Sequence, residues 1–202
     1  MAKVISILGV LLLSVFAPLA AQDRAAEMIG ALAAEFRAKG AYEVDFEVAV
    51  GEYRTRGSYA VEGGRYHLIL GDAEVYADTS VRYEIDNRRR EVTINLVDTA
   101  SRNILNNPVH AFDFLGSEYV PTLLSEHDGL TTLVLAPAAG NSAPVGSITL
   151  TLNTAELQPR SICYDFDGER IMVRIDRIGA LRRTFKTFDR ADYADYEWID
   201  FR

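Results

Sequence analysis

One cysteine, Cys163, stands in the 202 residues, so no internal disulfide can form and the fold must hold by packing alone. In a strand-like stretch such a residue fills space rather than serving as a reactive thiol. Histidine is scarce: His67, His110 and His127 are scattered, and none has a second His or Cys at metal-ligand spacing. A G-x-S-x-G nucleophile elbow is lacking as well, since Ser58, Ser117 and Ser147 each follow a Gly without the second one. Carboxylates are plentiful but fall at alternating strand positions or in turns, where a solvated face accounts for them. The sequence therefore points to no enzyme, no metal and no cofactor.

Positive charge is also in deficit. Lys and Arg number 21 against 29 Asp and Glu, a formal net charge of -8, which makes nucleic acid and anionic membrane surfaces poor partners. Long hydrophobic runs are absent beyond the amino terminus. There, Lys3 precedes an apolar run over 4–19, and the small residues Ala20 and Ala21 precede Gln22 and Asp23. That order is the plan of a secretory signal peptide over residues 1–21. The run contains Gly9, Ser14 and Pro18, falls short of the roughly 20 apolar residues of a spanning helix, and has no cationic stop-transfer flank. No Cys follows the cleavage site to take a lipid anchor. Cleavage removes Lys3 as the only charged side chain, so -8 becomes -9 for a mature chain over 22–202, read as one domain.

What is present begins with a helix. Met28, Ile29, Leu32, Ala33 and Phe36 recur at spacings of three and four, Asp23 is placed to cap them, and Lys39-Gly40 marks a stop. From Tyr42 the period changes to two, with Val44, Phe46, Val48 and Val50 alternating with Glu43, Asp45, Glu47 and Ala49. Strands are expected over 42–50, 56–61, 65–70, 74–76, 81–85, 91–96, 131–136, 147–153, 160–166, 169–176 and 183–188, separated by turn residues such as Gly63-Gly64, Asp86-Asn87 and Asp167-Gly168. About 10 or 11 antiparallel strands in one domain must curl, close or split. Between the halves, Asn106-Asn107-Pro108 followed by Val109, Phe112 and Leu115 reads as a short helix capped by Asn107. Residues 137–144 read as a small-residue loop. The run Asn87-Arg88-Arg89-Arg90 reads as a solvated turn, and the aromatic, acidic stretch 193–201 as a terminal strand or clasp.

The quantity of inward-facing apolar residues sets the main expectation. Phe46, Val48, Tyr59, Val61, Leu68, Leu70, Val81, Tyr83, Ile94 and Leu150 are all expected on one side of a curved sheet, with Ile85 and Val92 among them. Leu32 and Phe36 of the first helix, and Val109, Phe112 and Leu115 of the second, are its only evident lids. Either the sheet closes on its own side chains or the lids shield a cavity for something apolar.

Several of these segments resemble the outer-membrane lipoprotein carrier (LolA) family, in a divergent branch. The resemblance runs from Ala31-Leu32 through Phe46. It continues in Gly57-Ser58-Tyr59-Ala60-Val61, Glu74-Val75-Tyr76-Ala77-Asp78, Val81-Arg82-Tyr83 and Glu91-Val92-Thr93-Ile94, then in Asn107-Pro108 and in Phe188 ahead of a closing strand. It implies a mostly β fold: an incomplete antiparallel barrel whose concave face is roofed by helices. It further implies a monomeric periplasmic carrier of acyl chains of lipoproteins or lipids in a Gram-negative cell. An inner-membrane release complex and an outer-membrane receptor would be its partners. The alternative is a non-catalytic periplasmic sensor or scaffold on the same fold that binds a protein partner. The sequence departs from the family where Glu62-Gly63-Gly64-Arg65 replaces an Arg-Pro pair entering the third strand, and where Asp78-Thr79 replaces an Asp-Gly turn.

Overall fold

The computed structural model describes residues 16–99, 101, 104–110, 112–140 and 146–202, with side chains from Ala21 onward. The first 15 residues of the expected signal peptide lie outside the described residues, as do 141–144 of the expected loop. Helix α1 spans Phe16–Ala38, so Asp23 sits inside the helix rather than capping it. Its residues Ala25, Met28, Ile29, Leu32, Ala33 and Phe36 are buried, as their three-and-four spacing requires. At its end Arg37 donates to the Ala33 carbonyl, a cation placed on the negative end of the helix dipole.

The strands are β1 (Ala41–Val50), β2 (Tyr53–Glu62), β3 (Arg65–Leu70), β4 (Ala73–Ala77), β5 (Val81–Asp86), β6 (Glu91–Leu96), β7 (Tyr119–His127), β8 (Leu130–Pro137), β9 (Ile148–Asn153), β10 (Pro159–Phe166), β11 (Glu169–Gly179) and β12 (Glu197–Asp200). They form one 12-stranded sheet in the order β12-β6-β5-β4-β3-β2-β1-β11-β10-β9-β8-β7, open rather than closed into a barrel. Neighbours are antiparallel except β12, which lies parallel to β6. The hairpin expected at Asp167-Gly168 is present, with both residues at positive φ (51° and 88°), as a type I′ turn demands.

Three elements differ from the sequence reading. Residues 119–127 form an edge strand, β7, that the pattern hides: Pro121 interrupts it and the register slips between Leu123 and Ser125. Proline and a bulge are what an unpaired edge tolerates, and they discourage further pairing. Residues 183–188, expected as a strand, pair with nothing in the sheet. The short helix is also divided, into a 3-10 turn over Pro108–His110 and a helix α2 over Leu115–Glu118.

A bulge at the centre keeps the apolar face continuous. Phe46 pairs with Ile175 and Asp45 with Arg177, so Asp176 is skipped and Ile178 returns to the same face beside Val44. Opposite Phe46 on β2 stands Gly57. A Cβ there would lie 2.6 Å from the Ile69 carbonyl oxygen and 2.7 Å from Cζ of Phe46. Gly57→Val should therefore destabilise the protein by about 1–3 kcal/mol through overpacking, read as a lower urea midpoint with unchanged slope.

Candidate functional site

On a strand, successive side chains point to opposite faces, so the pairing register decides which expected residues share a surface. Tyr59 pairs with Leu68, Leu68 with Val75, and Phe46 with Ile175; on the far side Leu150 pairs with both Ile162 and Leu133. Phe46, Val48, Tyr59, Val61, Leu68 and Leu150 are accordingly buried in one cluster with Leu32, Phe36, Phe112 and Leu115, and Leu70 and Val109 pack half-buried against it. Helix α1 covers this face, Phe36 meeting Phe112 at 4.5 Å and Tyr42 at 5.4 Å between ring centroids. Arg24 pairs with Glu126 of β7, and Arg37, in the last turn of the helix, with Asp113.

Val81, Tyr83 and Ile94 do not belong to this surface. Tyr83 pairs with Tyr76 and Ile94, and Tyr76 with His67, so all of them lie on the opposite face from Leu68 and Val75. Val81, two residues from Tyr83, shares that opposite face, as do Ile85 and Val92. In β5 and β6 the residues on the helix side are Arg82, Glu84, Thr93 and Asn95. The apolar face thus ends at β4, and Arg82, Glu84, Asn95, Asn106 and Phe201 line an open recess of about 460 Å³ at that end.

The cover is tied to the sheet through backbone groups of residues 104–108. Tyr42 of β1 donates to the Pro108 carbonyl at 3.2 Å, and Tyr66 of β3 to the Asn106 carbonyl at 3.0 Å. Arg82 of β5 reaches the same carbonyl at 3.3 Å, while Tyr164 of β10 accepts the Ile104 N–H at 3.3 Å. Burial raises the pKa of all three phenols, so they remain protonated. Nothing in the sequence marks these tyrosines apart from other core aromatics; their position opposite the Asn107-Pro108 turn is the one available signal. Tyr66→Phe keeps the ring and removes the donor. It should cost about 0.5–1.5 kcal/mol and speed amide exchange over residues 104–110 relative to the strands, measured by mass spectrometry.

The opposite face has its own cover, the segment 181–202. Tyr83 stacks on Phe188 at 3.9 Å, Phe188 on Tyr193 at 5.7 Å, and Tyr76, Ile85, Val92 and Tyr193 form a second buried cluster. At its centre Glu74 accepts hydrogen bonds from Tyr76 (2.6 Å), Tyr193 (2.8 Å) and Lys186 (3.1 Å), and contacts His67 Nε2 at 2.8 Å. Burial alone would raise the Glu74 pKa, but these donors outweigh it and hold the carboxyl well below the usual range. Tyr193 is pushed up to about 12, first by burial and also by Glu74. The arginine turn and the acidic aromatic tail prove to be partners: Arg90 pairs with Asp195 and lies over the Tyr196 ring, and Tyr196 donates to Asn87.

Glu74→Gln should loosen this segment by about 1–3 kcal/mol at neutral pH. Since the folded-state pKa is depressed, the unfolded chain binds its proton first as pH falls. The contribution is full above about 4.3 and is lost as pH drops from there through the folded value. Denaturation of wild type and variant across that range should show the difference shrinking toward low pH.

An open antiparallel sheet with a helix across one face defines an architecture also seen in known structures. An uncharacterized conserved protein from Thermus thermophilus shares 9% identity at a TM-score of 0.54, over 87% of this chain and 98% of its own. LprF from Mycobacterium bovis shares 12% at 0.51, over 83% and 98%. MucB shares 13% at 0.50, over 88% of this chain and 66% of its own. The chain shares its fold with these three structures. No protein-family model and no curated protein matches its sequence. Among the described residues no helix is long and apolar enough to cross a membrane, and no group of three metal-ligating side chains comes together.

Proposed function

We propose that the chain is an exported, periplasmic carrier or binder of lipids or lipid-modified proteins, which it holds by their acyl chains against the helix-covered face. The observation that carries this reading is the way the face is closed. A continuous apolar surface spanning β4 to β7 is covered by one helix and one irregular segment, and the latter is held by a few hydrogen bonds to backbone groups. Phe46, Val48, Tyr59, Val61, Leu68, Leu70 and Leu150 supply the binding surface; Leu32, Phe36, Val109, Phe112 and Leu115 supply the cover.

The energetics favour exchange over simple uptake. Burial contributes about 0.8 kcal/mol per methylene, so a long chain moved from water would be held by of order 10 kcal/mol. A chain that replaces the side chains of α1 on the same face gains only the difference between the two, which keeps binding reversible. Release then needs another apolar acceptor, as at a membrane. Export fits the same geometry: cleavage after Ala21 leaves Gln22 first, three residues ahead of Ala25, the first buried side chain described in α1.

Native mass spectrometry of protein released gently from the periplasm tests both parts. The expected mass begins at Gln22, with acyl-bearing adducts bound. Titration with a fluorescent fatty acid should show saturable uptake, weakened at least tenfold in a folded Phe46→Asp protein and accelerated in Phe36→Ala. A protein that takes up no acyl chain from detergent micelles or vesicles, in wild type or in Phe36→Ala, sinks the carrier reading.

A further inference from the structure

The segment over residues 183–188 has the composition of a strand, yet no strand beside it. Arg182 is fixed to Glu43 and Asp45 of β1, Lys186 to Glu74 of β4, and Phe188 to Tyr83 of β5. From β1 to β5 is four strand spacings in the sheet order, about 19 Å at roughly 4.8 Å each. Six residue steps separate Arg182 from Phe188, and a chain reaches at most about 3.3–3.6 Å per residue. Bent at Arg182 and Arg183 and without secondary structure from Thr184 to Phe188, the segment crosses the face of the sheet opposite α1. Among the described residues, its N–H and C=O groups make no backbone–backbone hydrogen bond.

Beneath and beside it lies a cleft of about 630 Å³, walled by Ser58, His67 and Ile69 of the sheet and by Arg183, Phe185 and Lys186 of the segment. That volume lies in the range of clefts that hold ligands. Arg182 and Lys186 are engaged by carboxylates of the sheet, but Arg183 is exposed and has no acidic partner among the described residues. Arg183 is thus the uncompensated charge beside the unpaired backbone of this segment, and it favours an acidic partner by sign.

We propose that residues 183–188 are a docking edge to which an extended acidic segment of another protein adds by backbone hydrogen bonding, a carboxylate of that segment meeting Arg183. Edge addition supplies affinity through the main chain, and side-chain charge supplies the choice of partner. The site lies on the face opposite the acyl-binding surface and does not depend on it, so the absence of lipid uptake leaves it standing.

The test uses the full mature chain and two labelled heptapeptides, alternating Glu-Val and alternating Lys-Val, in fluorescence anisotropy with hydrogen exchange as the second readout. The Glu peptide should bind with a salt-dependent affinity at least tenfold above the Lys peptide, and should slow exchange of the amides over 183–188. Arg183→Glu should reverse the preference without moving the thermal midpoint. Thr184→Pro, which removes one donor, should weaken the Glu peptide while Arg183 remains. Equal affinity for both peptides, binding without protection at 183–188, or no binding overturns the proposal. So does protection that rises with protein concentration alone, since that outcome assigns the segment to contacts between copies of this chain.

Discussion

Val75 and Tyr76 are neighbours on β4, they point to opposite faces of the sheet, and both are buried. Everything else in the architecture follows from having to satisfy that pair. A sheet with one dry face needs one cover; a sheet whose dry face changes sides along its width needs two. Helix α1 and the segment around Pro108 and α2 cover the face of Val75, from β4 through β1 to β7. The chain after Leu181 covers the face of Tyr76, from β4 to β6. On either side of the change the sheet surface is polar: Arg82, Glu84, Thr93 and Asn95 beyond α1, and beyond the aromatic cluster Glu43, Asp45 and Arg177, with Arg182 of the crossing segment paired to the two carboxylates.

Much of this was legible in the sequence, and the parts that were not have physical reasons. Alternation identifies which residues of one strand share a face, and it located β1 to β6 and β8 to β11 closely. It does not say which faces coincide across a hairpin, because that depends on how many residues the turn consumes. Tyr83 meets Tyr76 across the Asp78-Thr79-Ser80 turn. One residue more or less in that turn would have placed Tyr83 and Ile94 beside Leu68, where the sequence alone put them. The edge strand β7 was hidden by Pro121 and its bulge, the very features that suit it to an edge. Residues 183–188 carry a strand pattern, but pairing is a property of the neighbours a segment meets, and no strand lies beside this one.

The tyrosines show a different limit. Tyr42, Tyr66 and Tyr164 were visible only as apolar bulk, yet their hydroxyls decide how the cover is held. A hydroxyl buried at the boundary between sheet and cover must find a partner, and here it finds backbone groups of residues 104–108. Each such bond adds about 0.5–1.5 kcal/mol net, enough to define a closed state and too little to make it permanent. Buried apolar contact supplies most of the free energy of closure, while the hydroxyls supply its geometry.

The two covers differ in what their removal would expose, and that difference bears on function. Lifting the segment after Leu181 breaks the hydrogen bonds from Lys186 and Tyr193 to Glu74 and also uncovers Tyr76, Tyr83, Ile85 and Val92, so this cover is costly to move and suits a fixed platform. Lifting α1 exposes mainly hydrocarbon, with no buried charge stranded, because its ion pairs Arg24–Glu126 and Arg37–Asp113 lie at the surface. The cost of that opening is apolar area, which an acyl chain can offset in kind and water cannot. Because β1 to β6 stand between the two covers, the helix can move while the opposite face keeps its shape.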